Sequence, residues 1–133
     1  MSKQTVAQMR AKHALGRITS YQTVYQTEED KQKRFNSYTA SFGPMILMSG
    51  FGQACAFYVA NKKTEHKDVL DAVEAWLQEK GRPFHGQNGN IIACITSSDS
   101  STYRLAQIET LAYLDWLKKF GKAFLKSEEG DAL

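Results

Sequence analysis

A length of 133 residues, with 42% hydrophobic and 23% charged residues, is typical of one globular domain and excludes general disorder. The uncharged run at residues 44–60 is shorter than the roughly 20 residues that a membrane span needs, and the first residues lack the apolar core of a signal peptide. We therefore expect a cytoplasmic protein without membrane contacts.

The net charge of +3 conceals an uneven distribution along the chain. Residues 1–63 carry nine Lys or Arg and three acidic residues, residues 64–81 carry two and five, and residues 103–126 carry five and two. The residues after Ser127 are acidic again. Since the sign of a charge block influences its partners, the sequence predicts a basic N-terminal half, an acidic middle helix and a basic last helix.

No motif in the sequence predicts catalysis. The three histidines have no nucleophile or carboxylate at a catalytic spacing, and Gly86-Gln-Asn-Gly89 lacks the Lys-Ser/Thr of a phosphate-binding loop. Cys55 and Cys94 are the only cysteines and form no C-x-x-C pair. We therefore expect a protein that is not an enzyme, with two buried free thiols and with neither a metal nor a cofactor.

The apolar spacing predicts an all-α fold, a compact single-domain bundle of five or six helices over residues 1–126. We expect a disordered acidic tail at residues 127–133. Residues 91–96 are rich in β-branched side chains, which favours a strand by propensity. A lone strand would have no partner in this chain, so a short buried helix is the preferred interpretation. The longer predicted helices cover residues 2–22, 28–41, 44–61, 64–80 and 101–126.

The helix predicted at residues 44–61 is apolar nearly all round, which is typical of a buried central element. Phe42-Gly-Pro44 should break the chain before it, because proline suits the first turn of a helix. Gly50 and Gly52 each cost a helix about 1 kcal/mol relative to alanine. Both glycines are followed by alanine four residues later, so we expect close packing against a crossing helix to compensate.

The last predicted helix, residues 101–126, separates into two faces when it is projected at about 100° per residue. One face is apolar and should bury Trp116 in the core. The other face is basic and would be presented to solvent or to an acidic partner. The apolar face comprises Leu105, Ala112, Tyr113, Trp116, Leu117, Phe120 and Phe124, and the basic face comprises Arg104, Lys118, Lys119, Lys122 and Lys126.

Glu109 lies within the apolar face of this helix, where an unpaired carboxylate would be costly. One interpretation is a buried general base. The interpretation that we favour is a structural charge paired with an arginine from another helix.

Two interpretations remain open for the lysines of the last helix. A solubilising surface usually mixes charges of both signs, yet Asp115 is the only acidic residue among these lysines. A phosphate-contacting surface, in contrast, uses lysines to neutralise a nucleic-acid backbone without reading its sequence. Arg10 and Arg17 would extend such a surface if the first and last helices packed side by side.

Two sequence blocks are more specific than the composition. Residues 44–57 read PMILMSGFGQACAF, and residues 109–120 read ETLAYLDWLKKF. Their order, spacing and helical context resemble the P-x-M-I-x-x-N-G-L-x-Q-x-x-A-F and E-A-x-x-x-L-x-W-L-[KR]-R-F-A blocks of the small helical subunit of Cmr-type (type III-B) CRISPR effector complexes. Ser49, Phe51 and Gly121 depart from these patterns, which have Asn, Leu and Ala.

The resemblance implies a non-catalytic structural subunit of an RNA-guided antiviral ribonucleoprotein, whose partners are the other subunits of the complex. In that family, copies of the small subunit stack into a filament, and the guide–target RNA duplex lies along a basic groove. The candidate contacts with the backbones of guide RNA and target RNA are Lys118, Lys119, Lys122, Lys126, Arg104, Arg10 and Arg17. The candidate contacts between stacked copies are Glu65, Asp68 and Asp71, on the acidic face of the helix at residues 64–80. The alternative is a helical protein-interaction module whose basic last helix docks an acidic partner protein.

Overall fold

A computed structural model describes residues 3–127, and every regular element in this range is an α-helix. The all-α prediction is therefore confirmed, and residues 91–96 belong to a short helix, as preferred. Apart from Ser127, the acidic tail predicted at residues 127–133 lies outside the described residues. The helices are α1 (Val6–Val24), α2 (Glu29–Ser49), α3 (Phe51–Ala60), α4 (Thr64–Leu77), α5 (Ile91–Ser97) and α6 (Ser100–Phe124).

Polar side chains define the beginnings of three helices. Thr5 and Gln8 form a reciprocal capping box at the start of α1. Asn90 accepts a hydrogen bond from the backbone of Ala93 at the start of α5, and Asp99 accepts one from the backbone of Thr102, at 2.7 Å, at the start of α6. Each cap pairs a backbone N–H group that the helix itself leaves without an acceptor.

The longest helix, α6, is at the centre of the bundle. It packs most extensively along α1, packs also against α2, and contacts α4 on its inward side. The α2, α3 and α4 helices pack against one another, and α5 closes the end of the bundle beside α3. The largest side chains that are fully buried among these helices are Tyr58, Tyr113, Phe42, Phe51, Phe84, Ile18, Ile46, Leu77 and Leu117.

The prediction of one buried central helix over residues 44–61 is wrong. The α2 helix runs on through Pro44, and the break comes at Gly50, whose φ of 90° favours glycine and ends the helix. Pro44 is tolerated because Ala40, whose carbonyl it leaves without a helical partner, is exposed to water. Met48, at 87% exposure, and Phe57, at 52%, lie on the surface instead of in the core.

The buried face of α6 is also rotated from the predicted one. Leu105 is 57% exposed and Phe124 is exposed as well. Because α1 and α2 cover α6 from two sides, the buried arc is placed between them, and small residues occupy it where helices approach closely. Trp116 packs against the core from its edge. The buried residues of α6 are Ala106, Thr110, Tyr113, Leu114, Leu117 and Gly121.

The apolar face of α4 is buried as predicted, but Glu65 does not lie on its exposed side. Its carboxylate is buried and accepts hydrogen bonds from Lys31, at 3.0 Å, and from Arg34 Nε, at 2.9 Å, so that it joins α2 to α4. Burial opposes ionisation of Glu65, but the hydrogen bonds from Arg34 and Lys31 outweigh it and lower its pKa from 4.5 to about 2. Glu65 is therefore an internal charge that stabilises the bundle.

We expect Glu65→Gln to destabilise the fold by about 3 kcal/mol at pH 7, because two cations lose the charge that they surround. The pKa of Glu65 is lower in the folded chain than in the unfolded chain, so its contribution is complete above about pH 4.5 and is lost as the pH falls towards 2. Urea denaturation at several pH values should show a smaller acid destabilisation in Glu65→Gln than in the wild type. The exposed change Glu79→Gln is the control and should leave the pH dependence of the unfolding free energy unchanged. The same pH dependence in Glu65→Gln and Glu79→Gln would contradict the prediction.

Candidate nucleic-acid interface

The lysines of α6 lie on its outward side. Lys118, Lys119 and Lys122 are exposed, and Lys126 is exposed just after the helix ends. Lys118 and Lys122 are one helical turn apart, so their ammonium groups project in similar directions. A rigid helix, rather than a loop, therefore presents the row of lysines.

Lys118 and Lys122 form one rim of a groove of about 680 Å³ between α6 and the C-terminal half of α2. Its lining is largely apolar and includes Met45, Met48 and Ser127. The groove therefore combines two cations with apolar contact area. Its other lining residues are Asn36, Ser37, Ala40, Ser41, Pro44 and Ser49.

Arg104 does not lie near this groove. It is exposed in the first turns of α6, 18 residues before Lys122, which corresponds to about 27 Å along a helix. The two residues share the outward side of α6, and only a long polyanion could contact both. Arg104 is therefore a separate cation on the same face.

Arg10, which the sequence predicted on the basic surface, is instead bound to Glu109. Its guanidinium donates to both carboxylate oxygens, with Nη2 at 3.1 Å from Oε1. Trp76 Nε1 donates to the same carboxylate at 2.9 Å, and Arg82 lies 3.6 Å away. Burial opposes ionisation of Glu109, but the hydrogen bonds from Arg10 and Trp76 outweigh it and lower its pKa.

Arg17 lies on a different side of the molecule from the lysine groove. The α1 and α6 helices do pack together, but Arg17 faces α4 and lines a depression of about 700 Å³ with Lys12, Lys80 and Arg82. His13 lies in the same depression, where its Nδ1 is 2.8 Å from the hydroxyl of Tyr113. The sequence did not predict this second group of cations, because the chain after α4 must fold back to bring residues 80 and 82 beside α1.

The acidic residues predicted to join stacked copies are largely used within the chain. Asp68 accepts a hydrogen bond from Tyr21, at 2.8 Å, and lies 3.4 Å from Lys31. Asp71 stays near the surface, where Lys67 lies 3.4 Å away. Together with the burial of Glu65, this arrangement leaves α4 much less acidic on its outside than its sequence indicates.

The two glycines of the PMILMSGFGQ block both lie beside α6. Gly52 donates its backbone N–H to the hydroxyl of Tyr103 at 2.8 Å, and a Cβ there would lie 3.4 Å from that hydroxyl. Gly50 forms the turn before Gly52 and lies close to the same Tyr103 hydroxyl. The close approach predicted for Gly52 is therefore made to α6 and α5, and the role of Gly50 is to end α2.

A pair of buried amides fixes the chain where it leaves α6. The side-chain amide of Asn36 donates to the carbonyl oxygens of Gly121, at 3.1 Å, and Lys126, at 2.8 Å. The backbone of Lys126 in turn donates to Gln32 at 3.0 Å. Both amides belong to α2, so the exit segment is held against α2 at the end of the lysine groove. No sequence pattern predicted this contact, because its residues are 85 to 94 positions apart.

Other features that would indicate chemistry were sought among residues 3–127. No group of three His, Cys, Asp or Glu residues in this range is placed to hold a metal ion. No helix in the range is long and apolar enough to cross a membrane. Cys55 and Cys94 are buried and unbonded to each other, and burial raises the pKa of the Cys55 thiol to about 12.

A small all-helical domain with a basic surface on its last helix is the class of protein that the fold and this site define. The family model described as CRISPR-associated protein (Cas_Cmr5) matches residues 6–124. The match covers most of the chain and all six helices. The chain therefore belongs to this family of CRISPR-associated proteins, the small subunits of Cmr-type complexes.

We expect Glu109→Gln to destabilise the fold by about 3 kcal/mol, because Arg10 and Arg82 would lose the charge that they share. Thermal and urea denaturation measure the change. Asp115→Asn, an exposed change on the same helix, is the matched control and should stay within about 0.5 kcal/mol of the wild type. Equal stability of Glu109→Gln and the wild type would show that the carboxylate is structurally dispensable.

Proposed function

We propose that the protein is a non-catalytic structural subunit of a type III-B CRISPR ribonucleoprotein in antiviral defence, and that its α6 lysines contact the backbone of guide–target RNA. Family membership supports a place in a Cmr-type complex. The observation that carries the RNA contact is the exposed row of Lys118, Lys119 and Lys122 on one rigid helix.

Sequence-independent contact suits such a complex. Lysines neutralise phosphates without reading bases, and in RNA-guided assemblies base pairing supplies the specificity. The structure supports a smaller set of contacts than the sequence did, because Arg10 is bound to Glu109 and Arg17 faces another side. The RNA surface that we propose is therefore Lys118, Lys119, Lys122 and Lys126, with Arg104 as a distant extension along α6.

We further propose that copies or neighbouring subunits pack on the apolar surface of α3. Phe57 and Val59 are 52% and 56% exposed, and apolar side chains on a surface are typical of protein contacts. The acidic residues of α4 are less suited to this role than predicted, since Glu65 and Asp68 are engaged within the chain. Asp71 is the acidic residue of the three that remains near the surface.

Reversing the charges of Lys118, Lys119 and Lys122 to Glu should weaken binding to any RNA sequence by at least about tenfold. The plot of the logarithm of the binding constant against the logarithm of the salt concentration has a negative slope. This slope should become less steep by about 2, because three phosphate contacts are lost. Fluorescence anisotropy with a labelled RNA measures both, and the melting temperature should change little because these side chains are exposed.

The matched control reverses Lys12, Arg17 and Lys80, three cations of the other basic depression, and so changes the net charge equally. Binding should fall far less in this control than in the α6 variant. Unchanged RNA affinity in the α6 variant would overturn the proposed contact. A loss of RNA affinity in the control alone would indicate that RNA binds in the depression between α1 and α4 instead.

Phe57→Ser together with Val59→Ser should weaken self-association or association with neighbouring subunits with only a small change in melting temperature, because about half of each residue is already in water. Sedimentation velocity across a concentration series measures self-association. Val24→Ser, an exposed apolar change on α1, is the control. Equal sedimentation of all three proteins, together with equal assembly with partner subunits, would contradict a contact on α3.

A further inference from the structure

A second concentration of positive charge lies in the depression of about 700 Å³ between α1 and the end of α4. This volume lies in the range that small-molecule sites occupy in proteins. Two of the lining cations belong to α1 and two to the chain after α4, and a single carboxylate lies among them. The cations are Lys12, Arg17, Lys80 and Arg82, and the carboxylate is that of Glu79.

Three of these four cations are not used within the described part of the chain. Lys12, Arg17 and Lys80 are exposed, and none of them forms an ion pair with any of residues 3–127. Arg82, in contrast, lies 3.6 Å from Glu109. Like charges that lie around one depression repel each other, and an anion placed between them relieves this repulsion. The three unpaired cations therefore favour a negatively charged ligand.

The depression is open beside Gly16, a glycine in the interior of α1. A glycine inside a helix lowers its stability relative to alanine, and close packing often compensates for this cost. Gly52 is such a case, because a Cβ there would lie 3.4 Å from Tyr103. At Gly16, a Cβ would meet no atom of the described residues within 4 Å. Packing within the described chain therefore does not require this glycine, whereas a ligand that approaches the backbone of α1 would.

His13 adds a hydrogen-bond donor to the same depression. Its Nδ1 lies 2.8 Å from the hydroxyl of Tyr113, a fully buried residue whose hydroxyl has no other hydrogen-bond partner among residues 3–127. Because a buried hydroxyl proton needs an acceptor, Tyr113 donates to Nδ1. Burial lowers the pKa of His13, so the imidazole is neutral near pH 7 and carries its own proton on Nε2. This N–H group donates to no other described residue and is available to a ligand.

We propose that the depression between α1 and the end of α4 binds a compact anion with two or three linked phosphoryl groups. Lys12, Arg17 and Lys80 neutralise its charge, and His13 donates a hydrogen bond to it from Nε2. The ligand occupies the open space beside Gly16. Inorganic triphosphate and nucleoside triphosphates share this chemistry. The site goes beyond the proposed function and has no residue in common with the RNA surface of α6.

The arrangement of the cations determines the size of this anion. Lys12 and Arg17 are about 7.5 Å apart along α1, so linked phosphoryl groups suit them better than a single phosphate. The cations also come from two parts of the chain and surround a concave site, which encloses a small ligand. The lysines of α6 form a row on an exposed helix instead, and such a row suits an extended nucleic-acid backbone.

Isothermal titration calorimetry with inorganic triphosphate, in a low-salt buffer without divalent cations, measures the affinity of this site. Lys12→Gln/Arg17→Gln/Lys80→Gln should raise the Kd for triphosphate at least about tenfold, because three charged contacts are lost. The melting temperature without ligand should change little, since all three side chains are exposed.

The matched control is Lys62→Gln/Lys63→Gln/Lys67→Gln, which removes three exposed lysines where α4 begins and changes the net charge equally. Its Kd for triphosphate should stay within about twofold of the wild type, because salt screens distant exposed charges. An equal loss of affinity in both variants would show a general attraction of anions and would overturn the proposal. Absence of triphosphate binding by the wild type would overturn it as well.

Gly16→Ala tests the position of the ligand independently of charge. The alanine should raise the melting temperature by about 4 °C, because it favours the helix and meets no neighbour. The same methyl group takes space from the ligand and should raise the Kd for triphosphate about tenfold. Since stability and affinity should change in opposite directions, a folding defect could not explain the loss of binding.

Ser20→Ala is the control for Gly16→Ala, because Ser20 is exposed on α1 and lines a different depression. It also favours the helix, but it should leave the Kd for triphosphate unchanged. Unchanged affinity in Gly16→Ala would exclude a ligand beside this glycine and would overturn the proposal.

A titration with ATP distinguishes the two sources of the phosphoryl groups. Tighter binding of ATP than of triphosphate would support a nucleotide as the ligand, and equal binding would support recognition of the phosphoryl groups alone. In both cases the Gly16→Ala variant should bind more weakly than the wild type. ATP binding that Gly16→Ala and the triple depression variant both leave unchanged would overturn the proposal.

Discussion

The carboxylate of Glu109 is the interaction on which the orientation of α6 depends. It binds Arg10 of α1 and Trp76 of α4, and it lies close to Arg82 in the chain after α4. Three separate parts of the molecule therefore converge on one residue of the central helix. A helix whose large apolar residues spread over a broad arc could pack at several rotations, and this specific pairing selects one of them. With that rotation, Lys118 and Lys122 point outward beside α2, and Leu105 lies in solvent.

A second buried carboxylate has a similar role on the other side of the bundle. Glu65 accepts hydrogen bonds from Lys31 and Arg34, and the neighbouring Asp68 binds Tyr21 of α1. These contacts join α1, α2 and α4 through charges that sequence position alone would assign to the surface. Their use inside the chain explains why the acidic block at residues 64–81 does not produce an equally acidic surface. The basic charge of α6 is therefore offset by fewer surface carboxylates on α4 than the sequence indicates.

Sequence periodicity predicted the all-α class and the buried face of α4 because these depend on local spacing. The short helix at Ile91–Ser97 was predicted against local β propensity, because a lone strand would have had no partner. The sequence also predicted that Glu109 would need an arginine from another helix. Which arginine could not be predicted, since Arg10 is 99 residues away and its partner depends on how α1 packs on α6. The division of residues 44–61 at Gly50 was missed for a different reason. An apolar sequence does not reveal which of its side chains will be covered by another helix. The side chains of Met48 and Phe57 are left exposed.

The departure of Gly121 from the family pattern, which has alanine, has a physical explanation in Asn36. A Cβ at position 121 would lie 2.1 Å from Oδ1 of Asn36, far inside any permitted contact. The Asn36 amide therefore reaches the carbonyls of Gly121 and Lys126 only because position 121 lacks a side chain. An alanine at position 121 therefore requires a different or displaced residue at position 36. The two positions therefore form one unit, which holds the backbone of Lys126 against α2.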